Sequence, residues 1–336
     1  MLFKVWIRCY CYNNKFVLHL KRNMRRWSNV LLLLCSPYLL LRWVCLASYE
    51  CFIGKRRVSN KLREDRKRNF KYEIALVCIS KNEGPYIREW IEFHRLVGVS
   101  KFYFYDNESD DDTPDVLAPY IADGIVDYIL IRGKGVQLDA YNQAIEKHKE
   151  ECRYMAFLDM DEYLTPIKPF ASVASLLDTI IQKAGGGAAG VGVNWAIFGT
   201  AHHKNTPTGL LTTAFNMRGT EEHWGNFHIK TVCNPRFVDY FISPHYPLYK
   251  IGAYNVGEAD GHRLWGWFSI PVKWSNLRVN HYYCKSEEQY MKKISRGFGD
   301  RVGVYDMKQF KDYDLNDVQD DSMMAYKDEL ESRVYD

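Results

Sequence analysis

Residues 154–163 read YMAFLDMDEY, a run of apolar residues that passes directly into a cluster of carboxylates. The apolar part predicts a buried strand, and Asp159 and Asp161 place two carboxylates where that strand ends. Open α/β sheets bind their ligands at the carboxyl ends of the strands. Buried charge is costly unless a cation or hydrogen-bond donors meet it. Oxygen ligands suit Mg²⁺ or Mn²⁺, which usually bring phosphates with them. Two interpretations are open. The carboxylates could bind a cation that holds a nucleotide diphosphate, or they could form a solvated acidic turn.

Strand and helix patterns alternate four times around this stretch. The strands are expected at residues 73–80, 101–105, 125–131 and 153–158, and the helices at 85–97, 113–121 and 136–149. Such alternation predicts a mostly parallel sheet with right-handed crossovers. Further along, we expect a helix at 172–183, a strand at 190–195, antiparallel strands and loops from 198 to 271, and helices at 286–295 and 320–332. The predicted fold class is α/β, with a Rossmann-like central sheet, flanking helices and a loop-rich second half.

Charge divides the chain into a basic neck and an acidic body. Residues 1–70 hold 16 Lys and Arg against 3 Asp and Glu, a net charge of +13, so the remainder of this +4 chain carries −9. A basic neck favours an anionic partner, either a membrane or a nucleic acid. The neck is apolar as well as basic, which fits lipid better than a phosphate backbone. We therefore predict contact with an anionic membrane surface through residues 21–68, and no nucleic-acid partner.

Residues 30–53 are apolar but interrupted by Pro37, Arg42 and Glu50. Three interpretations stay open, namely a single-pass signal anchor, an interfacial segment on anionic lipid, and an extension packed on the body. Basic flanks on both sides give no clear orientation. A secretory signal is disfavoured because the basic stretch before it is long, although a start at Met24 would shorten it. The nine cysteines lack paired zinc spacing, which favours a reducing compartment and the cytoplasmic face of a membrane.

Other strand ends and helix starts carry polar residues that could face the same ligand. Asp106 and Asn107 end the second predicted strand, and the acidic loop after them fails the calcium-loop pattern because position six is Asp111, not Gly. Gln137 and Asn142 lie in the helix before Asp-x-Asp, where helix capping is the competing explanation. His281 precedes a helix rich in lysine. Imidazole is a ligand that Mn²⁺ accepts beside oxygen.

Several spaced segments occur together in a recognisable order. They read CISKNEGPYIREWIEFHRLVGVSKFYFYDNESDD, QLDAYNQAI, YMAFLDMDEYL, GVNWAIFGTAHH, HIKTVCNPR, SPHYPLY and RVNHYYCKSEEQYMKKISRG. This order resembles glycosyltransferase family 92 and the related family-2-like glycosyltransferases, and the resemblance implies a GT-A fold. It divides the chain into a membrane-associating neck and linker (1–71), a GT-A domain (72–300), and an acidic C-terminal extension with a helix (301–336).

The resemblance also implies roles for individual residues. A nucleoside pocket would be lined by Lys81, Asn82, Glu83, Asp106, Asn107, Gln137 and Asn142. The metal, Mn²⁺ or Mg²⁺, would be held by Asp161, with Asp159 and His281 as further contacts. The sugar and acceptor side would be shaped by Trp195, Phe198 and Gly199. At residues 296–299 the chain reads RGFG, where relatives commonly carry a second basic residue, so the phosphate contacts there stay open.

The function implied is a metal-dependent, inverting transfer of a sugar from a nucleotide-sugar, such as UDP-galactose, to a glycan or glycolipid. An inverting single displacement needs a base, and Glu222 and Asp260 are weak candidates among the acidic residues of the second half. Two alternatives remain. One is a non-catalytic, GT-A-like glycan-binding protein at a membrane. The other is a nucleotidyltransferase, which shares strand-end carboxylates and a metal.

Overall fold

A computed structural model describes residues 53–168, 172–296 and 305–335, together with residues 41, 45, 48 and 49. The expectations for residues 1–40, including a start at Met24, lie outside this part of the chain, as does most of the apolar segment 30–53. Within the part that is described, no helix has the length and apolar character needed to cross a bilayer.

Alternating strands and helices form the first half, as the sequence predicted. Their bounds are α1 (Lys55–Asp65), β1 (Tyr72–Ser80), α2 (Gly84–Leu96), β2 (Lys101–Asp106), α3 (Thr113–Ala122), β3 (Val126–Leu130), α4 (Gln137–His148) and β4 (Cys152–Phe157). The strands are rich in β-branched and aromatic residues, and β1 and β2 are buried along almost their whole length. Such near-continuous apolar strands are typical of a parallel sheet that is covered on both faces.

The second half contributes shorter elements. They are β5 (Glu162–Pro166), α5 (Val173–Ala184), β6 (Ala188–Ile197), α6 (Leu211–Ala214), β7 (Met217–Arg218), β8 (Ile229–Cys233), β9 (Val238–Ser243), β10 (Tyr246–Tyr249), β11 (Tyr254–Gly257), β12 (Leu277–His281), α7 (Glu287–Arg296), α8 (Met307–Tyr313), β13 (Val318–Gln319) and α9 (Lys327–Tyr335). Short 3₁₀ turns cover Trp224–Phe227, Pro235–Phe237 and Ser322–Tyr326.

One curled central sheet joins both halves in the order β3-β2-β1-β4-β8-β6-β12-β5, with β11 added beside β6. The four strands β3, β2, β1 and β4 run parallel, as do the pairs β6–β12 and β6–β11. Strand β8 is antiparallel to both of its neighbours, and β5 is antiparallel to β12. The sheet is therefore mixed but mostly parallel, and the α/β fold class is confirmed.

The C-terminal residues pack against the body. Strand β13 pairs with β7, and Asp320 is held by the guanidinium groups of Arg218 and Arg278 at 2.7 Å each. Burial alone would raise the pKa of the Asp320 carboxyl, but these arginines hold it well below its usual value. On α9, Leu330 is buried. A buried ion pair and a buried leucine tie this segment to the sheet domain.

Helix α1 also packs against the body. Its residues Val58 and Leu62, one helical turn apart, are buried in a small cluster that includes Phe237. At its C-terminal end Asp65 accepts a hydrogen bond from Arg236 at 2.8 Å. The basic linker expected from the sequence is therefore an amphipathic helix with one face against the sheet domain.

Candidate active site

The strand register explains how distant residues meet at one edge of the sheet. In the parallel pair β1–β2, Ser80 lies opposite Asp106, so the residues that follow both strands emerge side by side. In the antiparallel pair β5–β12, His281 lies opposite Glu162. The peptide nitrogen of Tyr282 then donates to the carbonyl of Asp161 at 2.8 Å. The end of β12 is thereby fixed beside the acidic turn between β4 and β5.

A cavity of about 310 Å³ opens at this edge. Its walls include the ends of β1 and β4, the start of α4, the end of β12, and helices α7 and α8. The cavity is lined by acidic, basic, amide, imidazole and aromatic side chains. They are Lys81, Glu83, Asn107, Gln137, Asp159, Asp161, Trp195, His228, His245, His281, Tyr283, Lys293, Tyr305 and Tyr313. Its mixture of polar groups and aromatic rings suits a ligand with charged and apolar parts.

Asp161 lies in the wall of this cavity and is only 9% exposed. One carboxylate oxygen accepts a hydrogen bond from Lys293 Nζ at 2.8 Å, and the other lies 3.5 Å from His281 Nε2. Burial alone would raise the pKa of Asp161, but Lys293 and His281 outweigh it and hold the pKa well below its usual value. Asp161 is therefore a buried carboxylate that stays charged at neutral pH.

Asp159 belongs to a second charged group. Its carboxylate accepts hydrogen bonds from Gln137 at 2.5 Å and from Lys230 at 2.9 Å. Lys230 also lies 3.0 Å from Glu162, which is fully buried and accepts a bond from the peptide nitrogen of Asp159. Burial lowers the pKa of Lys230, but the two carboxylates outweigh it and raise the pKa well above its usual value. Lys230 is thus a permanent cation beneath the acidic turn.

Aromatic and imidazole rings form another wall of the cavity. The Trp195 ring lies 4.3 Å from the ring of His281 and 4.9 Å from that of His228, centre to centre. Burial is the main cause that lowers the pKa of His228 and of His281. It also lowers the pKa of His245, to well below its usual value. Burial thus favours the neutral form of all three imidazoles.

Two of the predicted pocket residues, Glu83 and Gln137, bind other side chains at the cavity. Lys285 donates to Glu83 at 2.6 Å, and its ammonium group lies 3.7 Å from the centre of the Tyr86 ring. Gln137 holds Asp159, as described above, and also donates to Tyr141 at 3.1 Å. Both side chains therefore position charged partners at the cavity as well as lining it.

The structure brings together some of the predicted nucleoside residues and not others. Lys81, Glu83, Asn107 and Gln137 line the cavity, with Asp159, Asp161 and His281. Asn82, Asp106 and Asn142 are not among its lining residues, and each forms hydrogen bonds with other parts of the protein.

Those three residues hold the scaffold of the site. Asn82 donates to Asp110 at 2.6 Å and braces the acidic loop. Asp106 accepts from Tyr128 at 2.7 Å. Asn142 pairs with the backbone of Phe241, accepting from its nitrogen at 2.6 Å. The two weak base candidates, Glu222 and Asp260, are exposed and do not line the cavity, and Asp260 is bound to His262.

The residues present could supply some, but not all, of the ligands of a divalent cation. Carboxylate and imidazole are ligands that Mn²⁺ accepts, and Asp161 and His281 present both types at one point of the wall. In the described segments, no group of three or more His, Cys, Asp or Glu residues is arranged to hold a metal ion. Mg²⁺ and Mn²⁺ sites of this kind take the remaining ligands from water and phosphate oxygens. A cation held by both oxygens of Asp161 would displace Lys293, which contacts one of them.

Lys230 is the residue of the site that the sequence reading missed. It lies in strand β8 within the segment IKTVC, where a single basic residue interrupts an otherwise buried strand. A lone charge inside a strand pattern indicates a buried partner, since unpaired buried charge is costly. That signal was present in the sequence. Its partners, Asp159 and Glu162, are set only by the neighbouring position of β4 and β8.

The fold and the cavity define a mixed α/β protein. Its ligand site lies at the C-terminal ends of the sheet strands and is lined by both acidic and basic side chains. The chain belongs to glycosyltransferase family 92, whose sequence profile matches residues 75–321. A family 92 protein of Arabidopsis thaliana is 28% identical over 259 residues, which cover 72% of this chain and 40% of the relative. One from Ricinus communis is 27% identical over 107 residues, covering 31% of this chain and 18% of the relative. The matches thus span well under half the length of these relatives.

Solved structures with a similar arrangement include S. aureus TarS in complex with UDP-GlcNAc. Its TM-score is 0.34 at 13% identity, with 56% of this chain and 60% of that chain covered. Another is glucosyl-3-phosphoglycerate synthase from Mycobacterium tuberculosis in complex with Mn²⁺, UDP and glucosyl-3-phosphoglycerate. Its TM-score is 0.29 at 16% identity, with 54% of this chain and 62% of that chain covered.

Proposed function

We propose that this chain transfers a sugar from a nucleotide-sugar, with UDP-galactose as the first donor to test, to a hydroxyl of a glycan or glycolipid. We further propose that the transfer requires Mn²⁺ or Mg²⁺ and inverts the anomeric centre. The observation that carries this proposal is the charged Asp161 carboxylate, held between His281 and Lys293 in the wall of the cavity. Membership of the family supports the class of reaction.

The chain's own cations are suited to a diphosphate. Lys293 lies at the cavity wall on Asp161, and Lys285 lies nearby on Glu83. Phosphate oxygens favour such charged donors. When bound, a divalent cation would offset the charge that develops on the departing diphosphate. Release of Lys293 from Asp161 would then leave its ammonium group available to the same oxygens.

His228 is the better candidate for the base than Glu222 or Asp260. It lines the cavity, whereas the two acidic residues are exposed outside it. Its Nδ1 lies 3.0 Å from the carbonyl of Gly225, which favours a proton on Nδ1 and leaves Nε2 as the acceptor. Burial lowers the pKa of His228, so the ring is neutral and able to take a proton from an acceptor hydroxyl.

The test is the isosteric substitution Asp161→Asn. Loss of the charged Asp161 carboxylate at the proposed metal position should lower kcat/KM for UDP-galactose by on the order of 100-fold or more. It should also remove the rise in melting temperature that Mn²⁺ and UDP together give the unsubstituted chain. The matched control is Asp127→Asn, because Asp127 is likewise a carboxylate paired with a lysine, Lys101, but lies outside the cavity.

Full activity in the Asp161→Asn variant would show that the metal and diphosphate are held elsewhere. If the unsubstituted chain binds UDP with Mn²⁺ but transfers no sugar from any of a panel of UDP-sugars, the site binds nucleotide without catalysis. That outcome contradicts the proposed transfer while leaving the cavity as the binding site.

A further inference from the structure

An exposed group of aromatic rings borders the cavity on the side of β8. We name it the aromatic platform and define it as Trp224, Trp267 and Phe268, whose exposed fractions are 50%, 37% and 46%. Exposed contiguous apolar surface of this kind usually marks a binding site. None of these three residues takes part in the charged groups around Asp159 and Asp161.

The platform is continuous with the cavity through ring contacts. Phe268 packs edge-on against His228, with ring centres 4.6 Å apart, and Trp224 lies 6.1 Å from the same imidazole. Trp224 also packs at 5.3 Å against Tyr313. His228 and Tyr313 both line the cavity. Trp224 and Phe268 therefore each contact a residue of the cavity wall, and Trp267 lies beside Phe268 with ring centres 6.1 Å apart.

Backbone hydrogen bonds hold the platform in place. Ile229 N donates to the carbonyl of Trp267 at 3.1 Å, and Ser269 N donates to the carbonyl of Phe227 at 2.9 Å. Asn194, buried in β6, donates to the carbonyls of both Ser269 and Asn226 at 3.0 Å. The loop that carries Trp267 and Phe268 is thus bound to the 3₁₀ turn that carries Trp224. Rings ordered in advance lose little entropy when a ligand covers them.

The charges around the platform favour a neutral, hydroxyl-rich ligand over a lipid surface. Glu222 is exposed and lies two residues before Trp224, where its carboxylate can accept hydrogen bonds from hydroxyl groups. Glu221 is also exposed and lies 3.9 Å from Arg218. Acidic side chains at this point oppose an anionic membrane, which selects for clustered Lys and Arg. Asp260 is also paired, with Lys273 at 3.6 Å, and adds no net charge.

We propose that the aromatic platform is an acceptor subsite that binds neutral sugar units of an oligosaccharide chain, next to the unit in the cavity. Pyranose rings present apolar C–H faces that stack on aromatic rings, and their equatorial hydroxyls reach the carboxylates at the rim. This inference rests on the proposed function, because a platform that leads into the cavity delivers a chain end to the donor. It gives Glu222 a binding role in place of the catalytic one considered from the sequence.

The experiment measures binding directly, by calorimetry, with defined neutral sugars. The probes are β-1,4-linked hexasaccharides of glucose, galactose, mannose and xylose, each compared with its monosaccharide. At least one hexasaccharide should bind 10-fold or more tightly than its monosaccharide. The variants Trp224→Ala and Trp267→Ala should each remove most of that advantage while keeping the melting temperature and the response to Mn²⁺ with UDP.

Trp265→Ala is the matched control. Trp265 lies on the same loop, is 67% exposed, and stacks on Arg263 at 4.0 Å. Its loss should leave hexasaccharide binding unchanged, and an equal loss of binding would overturn the role assigned to the platform. Equal binding of all hexasaccharides and monosaccharides would also overturn it. So would binding to phosphatidylcholine vesicles that is lost in the Trp224 and Trp267 variants without any sugar binding.

The two proposals fail in different ways. A response to UDP with Mn²⁺ but no platform-dependent sugar binding overturns the acceptor subsite and leaves the proposed transfer intact. Platform-dependent sugar binding without a response to UDP supports the platform and contradicts the proposed transfer.

Discussion

At the scale of single residues, the acidic turn is built from carboxylates that have lysines close beside them. Lys230 serves Asp159 and Glu162, and Lys293 serves Asp161. Breaking a buried pair by removing one partner costs about 3–5 kcal/mol, because it strands the other charge. The aspartates of the acidic turn are thus held in position by lysines, Lys230 for Asp159 and Lys293 for Asp161.

The pH dependence of stability is a prediction at this scale, and it centres on His94. This residue is fully buried on α2, where Leu164 N donates to its Nε2 at 3.2 Å and its Nδ1 lies 2.8 Å from the carbonyl of Trp90. Burial lowers the pKa of His94 to about 3. The unfolded chain takes up this proton below about pH 6.5. His94 therefore contributes stability fully above that pH, and the contribution is lost as pH falls from about 6.5 toward 3.

Between pH 7.5 and 5, this single group should lower the free energy of unfolding by about 2 kcal/mol, at roughly 1.4 kcal/mol per pH unit. Urea denaturation of His94→Gln should show a loss over this range that is smaller by that amount. Exposed His202 provides the control, and His202→Gln should keep the full dependence. An unchanged pH dependence in His94→Gln would contradict the assignment to a buried neutral imidazole.

At the scale of elements, the attachment of α1 depends on a close approach of two glycines. Gly252 has a φ of +93°, and a Cβ at this position would lie 2.4 Å from the carbonyl carbon of Gly54, the residue before α1. Gly252→Ala should therefore strain the loop by about 1–2 kcal/mol and push the start of α1 away from the body. Trypsin cleavage within residues 55–68 should become roughly 10-fold faster, because cleavage follows the population of the open state.

Gly266→Ala is the matched control for this change. Gly266 has no heavy atom within 4 Å of the position that a Cβ would take, and its φ lies outside the left-handed region. Its cleavage rate should equal that of the unsubstituted chain. Equal rates for Gly252→Ala as well would show that the contact with Gly54 does not hold α1 on the body.

The elements also show what the sequence could and could not predict. Strands β1, β2 and β4 follow from continuous apolar runs, since a buried parallel strand has that pattern along its own length. Strand β12 was missed because Arg278 and Asn280 interrupt its apolar pattern. Both are buried, and Arg278 is satisfied by Asp320, which lies in a different part of the chain. Lys230 and Asp159 are also far apart in the sequence, so their pairing could not be predicted from local pattern. Local pattern predicts an element, whereas pairing between distant elements sets the geometry of the site.

At the scale of the whole molecule, the sequence divides into a basic neck and an acidic body. Helix α1 buries Val58 and Leu62 against the body, so its exposed basic residues face outward: Arg56, Arg57, Lys61 and Arg63. Residues 1–52 add eight Lys and Arg against one Glu, a net charge of +7. The body from residue 71 onward is net −9, so an anionic surface is attracted by the neck and repelled by the body. We therefore expect a membrane contact through the neck.

Binding to lipid vesicles tests that arrangement. The full chain should bind vesicles that contain phosphatidylserine at least 10-fold more tightly than vesicles of phosphatidylcholine, since each Lys or Arg near an anionic surface contributes about 1 kcal/mol. A chain of residues 53–336, which keeps α1 on the body, should lose most of this binding. The variant Arg56→Glu with Lys61→Glu should lose part of it, and 0.5 M salt should weaken the remainder by screening. If the shortened chain binds as tightly as the full chain, the contact does not involve residues 1–52. If salt has no effect, apolar insertion and not charge holds the chain on the membrane.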